Sequence, residues 1–334
     1  MASQSTRHLV AAELAGAIDL FPAMDFTDDM ASYRTDMVGR LIPPLPPQLE
    51  AVPCEERLIP GAPGDPDVRV LLYTPPGAAA GLRPAVLDIH GGGYIMGNPE
   101  MGDALNRATV LALGCVVVSV DYRLAPETAW PGSRDDNYAA LCWLAGNAQA
   151  LSIDPARIAI AGGSAGGGHA AALAIHARNI AKMDKNAPTI CFQLLDYPML
   201  DDRTCIDPDP HPYTGEFVWT PRRNHFGWKA LLGVEPGSEG VDETAAPARA
   251  KDLSGLPPAY ISIGSLDLFL EESLEYARRL ARAGVPVELH VIPGAYHGFG
   301  IAHEAPQSIQ AARLRNGALG RALGSGPVNR AIEV

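Results

Sequence analysis

The chain has 334 residues, of which 47% are hydrophobic and 19% are charged, a composition typical of globular proteins. Its formal net charge of −12 argues against nucleic acid or an anionic membrane surface as a partner, because both attract basic surfaces. Five scattered cysteines without a C-x-x-C pair predict reduced core residues, and not a disulfide framework or a zinc site.

The N-terminal region, residues 1 to about 50, is predicted to be helical and irregular. It ends in the sequence Pro43-Pro44-Leu45-Pro46-Pro47, a stiff connector. Glu13 and Asp19 interrupt its apolar stretch, so no signal peptide is recognised, and no run of the chain is apolar enough to span a bilayer. We therefore expect a cytoplasmic protein.

Beyond residue 50, apolar strand patterns alternate with helical patterns. The predicted strands are Val68–Thr74, Ala85–His90, Cys115–Asp121, Arg157–Ala161, Ile190–Leu195, Ala259–Ile263 and Val287–Ile292. The predicted helices are Asp103–Leu113, Arg134–Ala145, Ala165–Arg178, Glu271–Ala283 and Ala305–Leu323. This alternation predicts an α/β fold with a mostly parallel, doubly wound sheet and helices on both faces.

The stretch from about residue 200 to 250 breaks the alternation, because it is rich in proline and contains no clear strand. Ligands of open α/β sheets bind outside the carboxyl ends of the strands, so an insertion there would form a lid. The expected organisation is residues 1–50 as the N-terminal part of a cap, 51–199 as α/β core, 200–250 as the cap insertion and 251–334 as the remaining core.

A serine is predicted at a sharp turn between the strand ending at Ala161 and the helix beginning at Ala165. The sequence Gly162-Gly163-Ser164-Ala165-Gly166 has the form G-x-S-x-G, whose outer glycines let strand and helix cross closely while the serine is held in a strained conformation. The helix N-terminus also favours an anion formed beside the serine. Alone, the pattern is weak evidence for a nucleophile at Ser164, because it also arises by chance.

A glycine loop, His90-Gly91-Gly92-Gly93-Tyr94, follows a predicted buried strand and leaves backbone N–H groups accessible. Acyl transfer needs such donors, because its tetrahedral intermediate places a negative charge on the former carbonyl oxygen. Gly92, Gly93 and Ala165 are the candidate donors of this oxyanion hole, and Gly91 is assigned to the turn. The alternative of a phosphate-binding loop fits neither G-x-x-x-x-G-K-[ST] nor G-x-G-x-x-G.

His297 is the candidate base for the serine, since it lies in a loop just beyond the strand Val287–Ile292. Asp267 follows the strand Ala259–Ile263 and is the candidate acceptor for the second ring nitrogen of the base. Glu271 is a distant second candidate for this acid. Packing or surface roles are expected for His169, His176, His211, His225, His290 and His303.

Together these motifs resemble those of the bacterial hormone-sensitive lipase-like esterases, the HGGG-type or family IV carboxylesterases of the α/β-hydrolase fold. The chain order of serine, aspartate and histidine also matches that fold. The resemblance implies a carboxylesterase with a helical cap, made from the N-terminus and an insertion after the sixth strand, and often a dimer joined through the sheet edge. The matching stretches are His90–Gly93, Asp121–Glu127, Gly162–Gly167, Asp196–Pro198, the Asp267 loop and His297–Phe299.

The chain departs from the family pattern at two positions. The family usually has aspartate or threonine before the nucleophile, where this chain has Gly163, and its acid loop usually reads Asp-Pro-Leu-x-Asp, where this chain has Asp267-Leu268-Phe269-Leu270-Glu271. The segment Asp121–Glu127 is expected to brace the site through an ion pair between Arg123 and Glu127.

The expected function is hydrolysis of short- to medium-chain carboxylic esters through an acyl-enzyme, with a small-molecule ester as partner and no metal or organic cofactor. An amidase, peptidase or acyltransferase on the same triad is an alternative, because fold does not determine substrate. A non-catalytic ligand-binding protein on this scaffold is another, although such proteins typically lose a triad residue. Apolar candidates for the pocket are Phe21, Phe26, Tyr94, Phe217, Trp219 and Trp228.

Overall fold

The computed structural model describes residues 5–21, 34, 42, 44–77 and 81–325, which include one large sheet. Its strands are β1 (Cys54–Ile59), β2 (Val68–Tyr73), β3 (Arg83–Ile89), β4 (Val116–Asp121), β5 (Ile153–Gly163), β6 (Phe192–Asp196), β7 (Ala259–Gly264) and β8 (Val287–Ile292). They lie in the order β1-β2-β4-β3-β5-β6-β7-β8. β2 is antiparallel to both its neighbours, and all pairs among β3 to β8 are parallel, so the prediction of a mostly parallel sheet is confirmed.

The helices are α1 (Ala12–Ala15), α2 (Asp103–Leu113), α3 (Gly132–Gly146), α4 (Ala165–Met183), α5 (Pro221–Leu232), α6 (Leu270–Arg282) and α7 (Pro306–Ala322). The prediction for α2 is confirmed at both ends and that for α4 at its first residue, and the remaining ends of the predicted helices are shifted. In the part of the chain that the structure describes, no helix is long and apolar enough to cross a bilayer.

Helices cover both faces of the sheet. In β4, Val116, Val118 and Val120 point into a core cluster with α3, α4 and α6, whereas Val117 points into a second cluster with α2 and α7. Such a strand is apolar at consecutive positions because both of its faces are buried. The predicted doubly wound α/β architecture is therefore confirmed.

Neither β1 nor α5 is predicted from the sequence. β1 is an edge strand whose side chains are mostly exposed, and only Ile59 is buried, so it lacks an apolar pattern. α5 does carry helix signals: Thr220 accepts a hydrogen bond from the N–H of Arg223 at 3.4 Å, Pro221 takes the first position, and Gly233 follows in a left-handed conformation.

Residues 200–250, called the insertion below, leave and rejoin the sheet at one place. The N–H of Ala248 donates to the carbonyl oxygen of Leu200 at 3.1 Å. The buried Asp202 carboxylate accepts two hydrogen bonds from Arg249, each 2.7 Å long, and a third from the N–H of Gly237 at 2.6 Å. The base of the insertion is therefore closed by the backbone and by an ion pair.

The N-terminal segment, residues 5–21, contacts both the insertion and the loop after β8. Glu216 of the insertion accepts hydrogen bonds from the hydroxyl of Ser5 at 2.6 Å and from the N–H and hydroxyl of Thr6 at 2.5 and 2.6 Å. Tyr296 donates its hydroxyl to the carbonyl oxygen of Leu14 at 3.0 Å. The segment thus links two regions that are far apart in the chain.

Candidate active site

Ser164 lies at the turn between β5 and α4 with φ of +58° and ψ of −125°. A positive φ is uncommon for a residue with a side chain, so the surrounding structure must hold it. A Cβ atom at Gly166 would lie 2.0 Å from the carbonyl oxygen of Ile89, and one at Gly162 would lie 2.3 Å from that of Gly166. Only glycine fits at both positions, and the close crossing predicted from the motif is present.

The backbone of Ser164 is tied to the strand beside it. Its N–H donates to the carbonyl oxygen of Asp196 at 2.9 Å, and its own carbonyl accepts from the N–H of Met199 at 3.0 Å. The Asp196 carboxylate in turn accepts from Ser262 Oγ at 2.7 Å and from Arg315 Nε at 2.9 Å. These bonds stabilise the strained turn from outside.

Three side chains from the ends of three strands form a hydrogen-bonded chain. Ser164 Oγ is 2.9 Å from His297 Nε2, and His297 Nδ1 is 2.8 Å from Asp267 Oδ2. Asp267 Oδ1 accepts the N–H of Phe269 at 3.0 Å, and the three side chains are buried. Because a carboxylate only accepts, Nδ1 carries the imidazole proton and Nε2 faces the serine as an acceptor.

Aromatic rings enclose the imidazole of His297. Tyr197 and Phe269 meet it edge-on, each with its centroid 5.1 Å away, and Trp219 lies tilted at 6.2 Å. Burial raises the pKa of Tyr197 well above its usual value, so its hydroxyl stays neutral. The rings restrict the imidazole to the orientation that joins the serine and the aspartate.

The glycine loop passes directly beside the serine. A Cβ atom at Gly91 would lie 3.4 Å from the Cβ atom of Ser164. Gly92 and Gly93 have φ of +124° and +60°. Ala165 follows Ser164 as the first residue of α4, where a backbone N–H has no partner within the helix. The three predicted donors therefore belong to the two backbone segments that flank the serine.

His90 and Tyr122 support this loop, a role that the sequence analysis does not assign to them. His90 Nδ1 donates to the carbonyl oxygen of Gly91 at 2.8 Å, and its ring stacks on Tyr122 with centroids 4.2 Å apart. The hydroxyl of Tyr122 donates to the carbonyl oxygen of His90 at 2.9 Å. Burial lowers the pKa of His90 to about 4, so the ring is neutral at pH 7. Both residues lie in the motifs quoted above, which is the signal that could have identified them.

Gly163, where the chain departs from the family pattern, lies against Tyr197. A Cβ atom there would be 3.3 Å from Tyr197 Cε2 and 3.4 Å from its hydroxyl oxygen. A larger residue would require the tyrosine to move by a few tenths of an ångström. Glycine at position 163 therefore leaves the space that the Tyr197 ring occupies.

The expected ion pair between Arg123 and Glu127 is wrong. Arg123 binds Asp136 of α3 and Asp65, with Nη2 2.7 Å from the first carboxylate and 2.9 Å from the second. Glu127 pairs instead with Arg34 at 2.8 Å. Asp136 is almost fully buried, and a buried carboxylate needs a cation far more than an exposed one does.

The remaining acid and histidine candidates lie away from this chain of hydrogen bonds. Glu271 is exposed on α6, so the second candidate for the acid is not brought to His297. His169 is buried between rings, and His290 is paired with Glu288 at 2.8 Å. Within the described ranges, no three histidine, cysteine, aspartate or glutamate residues are grouped so as to hold a metal ion.

Glu272, next to Glu271, has a structural role that the sequence does not reveal. Its Oε1 accepts the N–H of Leu200 at 2.7 Å, and its Oε2 is hydrogen-bonded to the Thr204 hydroxyl. Burial raises the pKa of Glu272 well above its usual value, and the charge of Asp201 adds to the effect. Through these two hydrogen bonds, Glu272 joins the first turn of α6 to the start of the insertion.

The apolar pocket candidates fall into separate groups. Phe26 lies outside the described residues. Phe21 and Phe217 both pack on Tyr296, with centroids 6.5 and 6.2 Å away, next to His297. These two rings join the N-terminal segment and the insertion above the histidine loop.

Tyr94 and Trp228 pack on each other with centroids 5.0 Å apart, and both are fully buried. The Tyr94 hydroxyl donates to the carbonyl oxygen of Met199 at 2.8 Å. Tyr94 and Trp228 therefore belong to a buried hydrophobic cluster. Trp219, in contrast, lies against both His297 and the glycine loop.

Comparison with known proteins gives a consistent set of relatives. A family profile described as the alpha/beta hydrolase fold matches residues 86–301. Carboxylesterase NlhH of Mycobacterium tuberculosis is 36% identical over 312 residues, which cover 92% of this chain and 94% of the relative. Esterase LipI of the same organism is 33% identical, covering 87% of this chain and 95% of the relative.

Solved structures agree with these relatives. The structure of a bacterial heroin esterase superposes with a TM-score of 0.87 at 38% identity, covering 96% of this chain and 99% of that one. Esterase LipW from Mycobacterium marinum superposes with a TM-score of 0.79 at 31% identity, covering 95% of this chain and 96% of the other.

Proposed function

The chain belongs to the α/β-hydrolase family and is a serine carboxylesterase of the hormone-sensitive lipase-like type, and from this we propose that Ser164, His297 and Asp267 are its catalytic triad. The observation that carries the proposal is the unbroken hydrogen-bonded chain of 2.9 and 2.8 Å from Ser164 Oγ through His297 to Asp267. This geometry matches the requirements of a nucleophile, a base and a group that orients the base.

In the first half of the reaction, His297 Nε2 takes the proton of Ser164 as Oγ attacks the ester carbonyl. Asp267 stabilises the resulting imidazolium through Nδ1–H and does not take the proton. The imidazolium then protonates the leaving alcohol, and the acyl group remains on Ser164. In the second half, His297 activates a water molecule in the same way, and the carboxylic acid leaves.

The N–H groups of Gly92, Gly93 and Ala165 are proposed to hold the oxyanion. Ala165 is suited to this role by its place at the N-terminus of α4, where the helix dipole also favours negative charge. The positive φ values of Gly92 and Gly93 turn the backbone of the loop in ways that side chains disfavour. Each donor of this type contributes about 10²–10³ in rate.

Residues 1–50 and 200–250 are proposed to form a cap over this site, with residues 51–199 and 251–334 as the α/β core. The bonds from Ser5 and Thr6 to Glu216 support this division, because they join the two parts of the cap directly. Arg34 also contacts the glycine loop region, where its Nε donates to the carbonyl oxygen of Ile95 at 2.6 Å. The proposed substrates are short- to medium-chain carboxylic esters.

A homodimer through the edge of the sheet is proposed, because β8 is a terminal strand and its Val291 side chain is exposed. Replacing Val291 with lysine should shift the mass measured by light scattering from dimer to monomer. A monomeric parent protein would refute this.

We also infer that the protein works in a reducing compartment such as the cytoplasm. We further infer that it does not bind nucleic acid. All five cysteines are free, and burial raises the pKa of Cys115 to about 12, which suits an unreactive core thiol. The net charge of −12 would repel phosphates. Fractionation of the source cells with an antibody against the chain tests the location, and recovery outside the cytoplasm would overturn it.

The triad is tested by replacing Ser164 with alanine and measuring hydrolysis of p-nitrophenyl acetate. Turnover should fall by roughly 10⁴–10⁶ while the thermal melt is retained. Ser254→Ala, at an exposed serine, is the matched control and should keep the parent rate. A fluorophosphonate should label the parent protein and the control but not Ser164→Ala. Retention of most of the activity in Ser164→Ala would refute the assignment.

Rates on a p-nitrophenyl ester and on the matched anilide separate an esterase from an amidase. The proposal predicts a much faster reaction with the ester, since an amide nitrogen is a poorer leaving group than a phenolate. A faster rate on the anilide would favour the amidase alternative.

A further inference from the structure

Trp219 is held rigidly at the end of a short turn in the insertion. Its side chain is almost fully buried, and its Nε1–H donates to Asn224 Oδ1 on α5 at 3.0 Å. The preceding residue, Val218, has φ of +60°, which is a genuine outlier for a β-branched side chain. The N–H of Trp219 donates to the carbonyl oxygen of Phe217 at 2.7 Å, and Arg223 donates to that of Val218. Strain of this kind persists only where the surrounding structure requires one position.

The indole of Trp219 touches both sides of the site. A Cβ atom at Gly93 would lie 2.1 Å from Trp219 Cη2 and 2.7 Å from Cζ2, so the outer edge of the ring lies directly on the glycine loop. The centroid of the same ring lies 6.2 Å from the centroid of the His297 imidazole, and the two ring planes are tilted by 40°. Trp219 therefore bridges the proposed oxyanion donor and the base.

The stereochemistry of the tetrahedral intermediate identifies which group of the substrate the Trp219 indole faces. The central carbon carries four groups: the Ser164 oxygen, the oxyanion, the oxygen of the alcohol and the acyl chain. The oxyanion points to the glycine loop, and the alcohol oxygen must lie near His297 Nε2 to be protonated. The four groups occupy the corners of a tetrahedron. Because the Trp219 indole contacts both Gly93 and His297, it lies on the side of this tetrahedron between the oxyanion and the alcohol oxygen. The Ser164 oxygen and the acyl chain lie on the opposite side.

We propose that Trp219 determines specificity for the alcohol part of the ester and not for its acyl part, an inference that rests on the proposed triad and oxyanion hole. The indole limits the volume open to the group carried by the leaving oxygen. Primary alcohols of small size fit beneath it, and branched or cyclic alcohols collide with its outer edge. The acyl chain leaves the reacting carbon on the opposite side and does not meet the ring.

Two ester series test this. One keeps the acyl group as acetate and varies the alcohol from ethyl to cyclohexyl, and the other keeps ethanol as the alcohol and varies the acyl chain from acetate to octanoate. In Trp219→Leu, the ratio of kcat/KM for cyclohexyl acetate over ethyl acetate should rise about tenfold or more, because contacts of this size in an apolar pocket are worth factors of about 10–200. The ratio of octanoate to acetate should change less than about twofold.

Trp228→Phe is the matched control, because Trp228 is a buried tryptophan of the same insertion that packs on Tyr94. It should leave the alcohol ratio unchanged. Trp219→Phe keeps an aromatic ring with a shorter reach, so it should move the ratio in the same direction by less, and it replaces Trp219→Leu if that variant does not fold. A change confined to the acyl series, or no change in either ratio, overturns the proposal.

The two levels of the hypothesis fail separately. If Ser164→Ala keeps the parent activity, the triad itself is wrong. If Ser164→Ala is inactive and the Trp219 variants keep the parent alcohol ratio, the triad stands and only the role of Trp219 is refuted.

Discussion

Replacing Arg249 with methionine should destabilise the protein strongly, because Arg249 neutralises the fully buried carboxylate of Asp202. The substitution removes both hydrogen bonds of 2.7 Å and leaves, among the residues that the structure describes, the N–H of Gly237 as the remaining donor to this carboxylate. Breaking a buried ion pair on one side costs about 3–5 kcal/mol. With an unfolding entropy of about 2.1 cal/mol/K per residue, that energy lowers the Tm of a chain of 334 residues by about 4–7 °C.

Calorimetry or circular dichroism at pH 7 measures this shift, with Arg203→Met as the matched control. Arg203 pairs with Asp201 at the same end of the insertion, but its side chain is half exposed, so its loss should cost below about 1 kcal/mol. The double variant Asp202→Asn/Arg249→Met removes the charge left unpaired and should recover most of the lost Tm. Equal shifts for Arg203→Met and Arg249→Met, or no recovery in the double variant, would refute the reasoning.

Three further predictions concern other contacts of the insertion and the loop. Glu272→Gln should keep the hydrogen bonds of Glu272 at every pH, whereas Glu272→Ala should melt earlier. Because the raised pKa of Glu272 contributes stability at low pH that is lost as pH rises, the Tm of Glu272→Gln should gain on that of the parent as pH rises above about 4.5, the usual pKa of a glutamate. A parallel pair of curves would contradict this. Gly227→Ala places a Cβ atom 2.6 Å from the carbonyl oxygen of Gly93 and should therefore displace the glycine loop. As a result kcat/KM should fall about tenfold or more with the fold intact. An unchanged rate would show that the loop can shift without loss of activity. Hydrogen bonds from Ser5 and Thr6 lower the pKa of Glu216 against the opposing effect of burial, so Glu216→Gln should lower the Tm at pH 7. This deficit should shrink progressively as pH falls below about 4.5, the usual pKa of a glutamate, because the parent then loses the stability that its charge contributes. A deficit that does not shrink in acid would argue against an ionised contact.

The central sheet could be predicted because its strands are buried on both faces. The apolar run of β4 needs no knowledge of its neighbours to be recognised, and the same holds for the apolar residues of β7. β1 could not be predicted, because its sequence Cys-Glu-Glu-Arg-Leu-Ile has the polarity of a surface loop. Its strand conformation comes from pairing with β2 along its whole length.

The site could be predicted as far as it depends on local sequence. Ser164, Asp267 and His297 each follow a strand, and parallel strands end at the same edge of a sheet. Partner choice among charged side chains could not be predicted: Arg123 takes Asp136 because α3 buries that carboxylate beside it, which no spacing in the sequence reveals. The place of Trp219 depends likewise on how the insertion folds back onto Gly93.

The backbone hydrogen bond between Leu200 and Ala248, 3.1 Å long, brings the two ends of the insertion together. The entropy of closing a loop rises slowly with its length, so segments of different size can be joined at this base at little energetic cost. A segment grafted between residues 204 and 247 would need to leave Asp202 and Arg249 in place and to replace the contacts that Gly237 makes with Asp202 and Trp228 makes with Tyr94. Substrate range in this architecture can therefore diversify by replacement of whole segments while the chemistry beneath them stays the same.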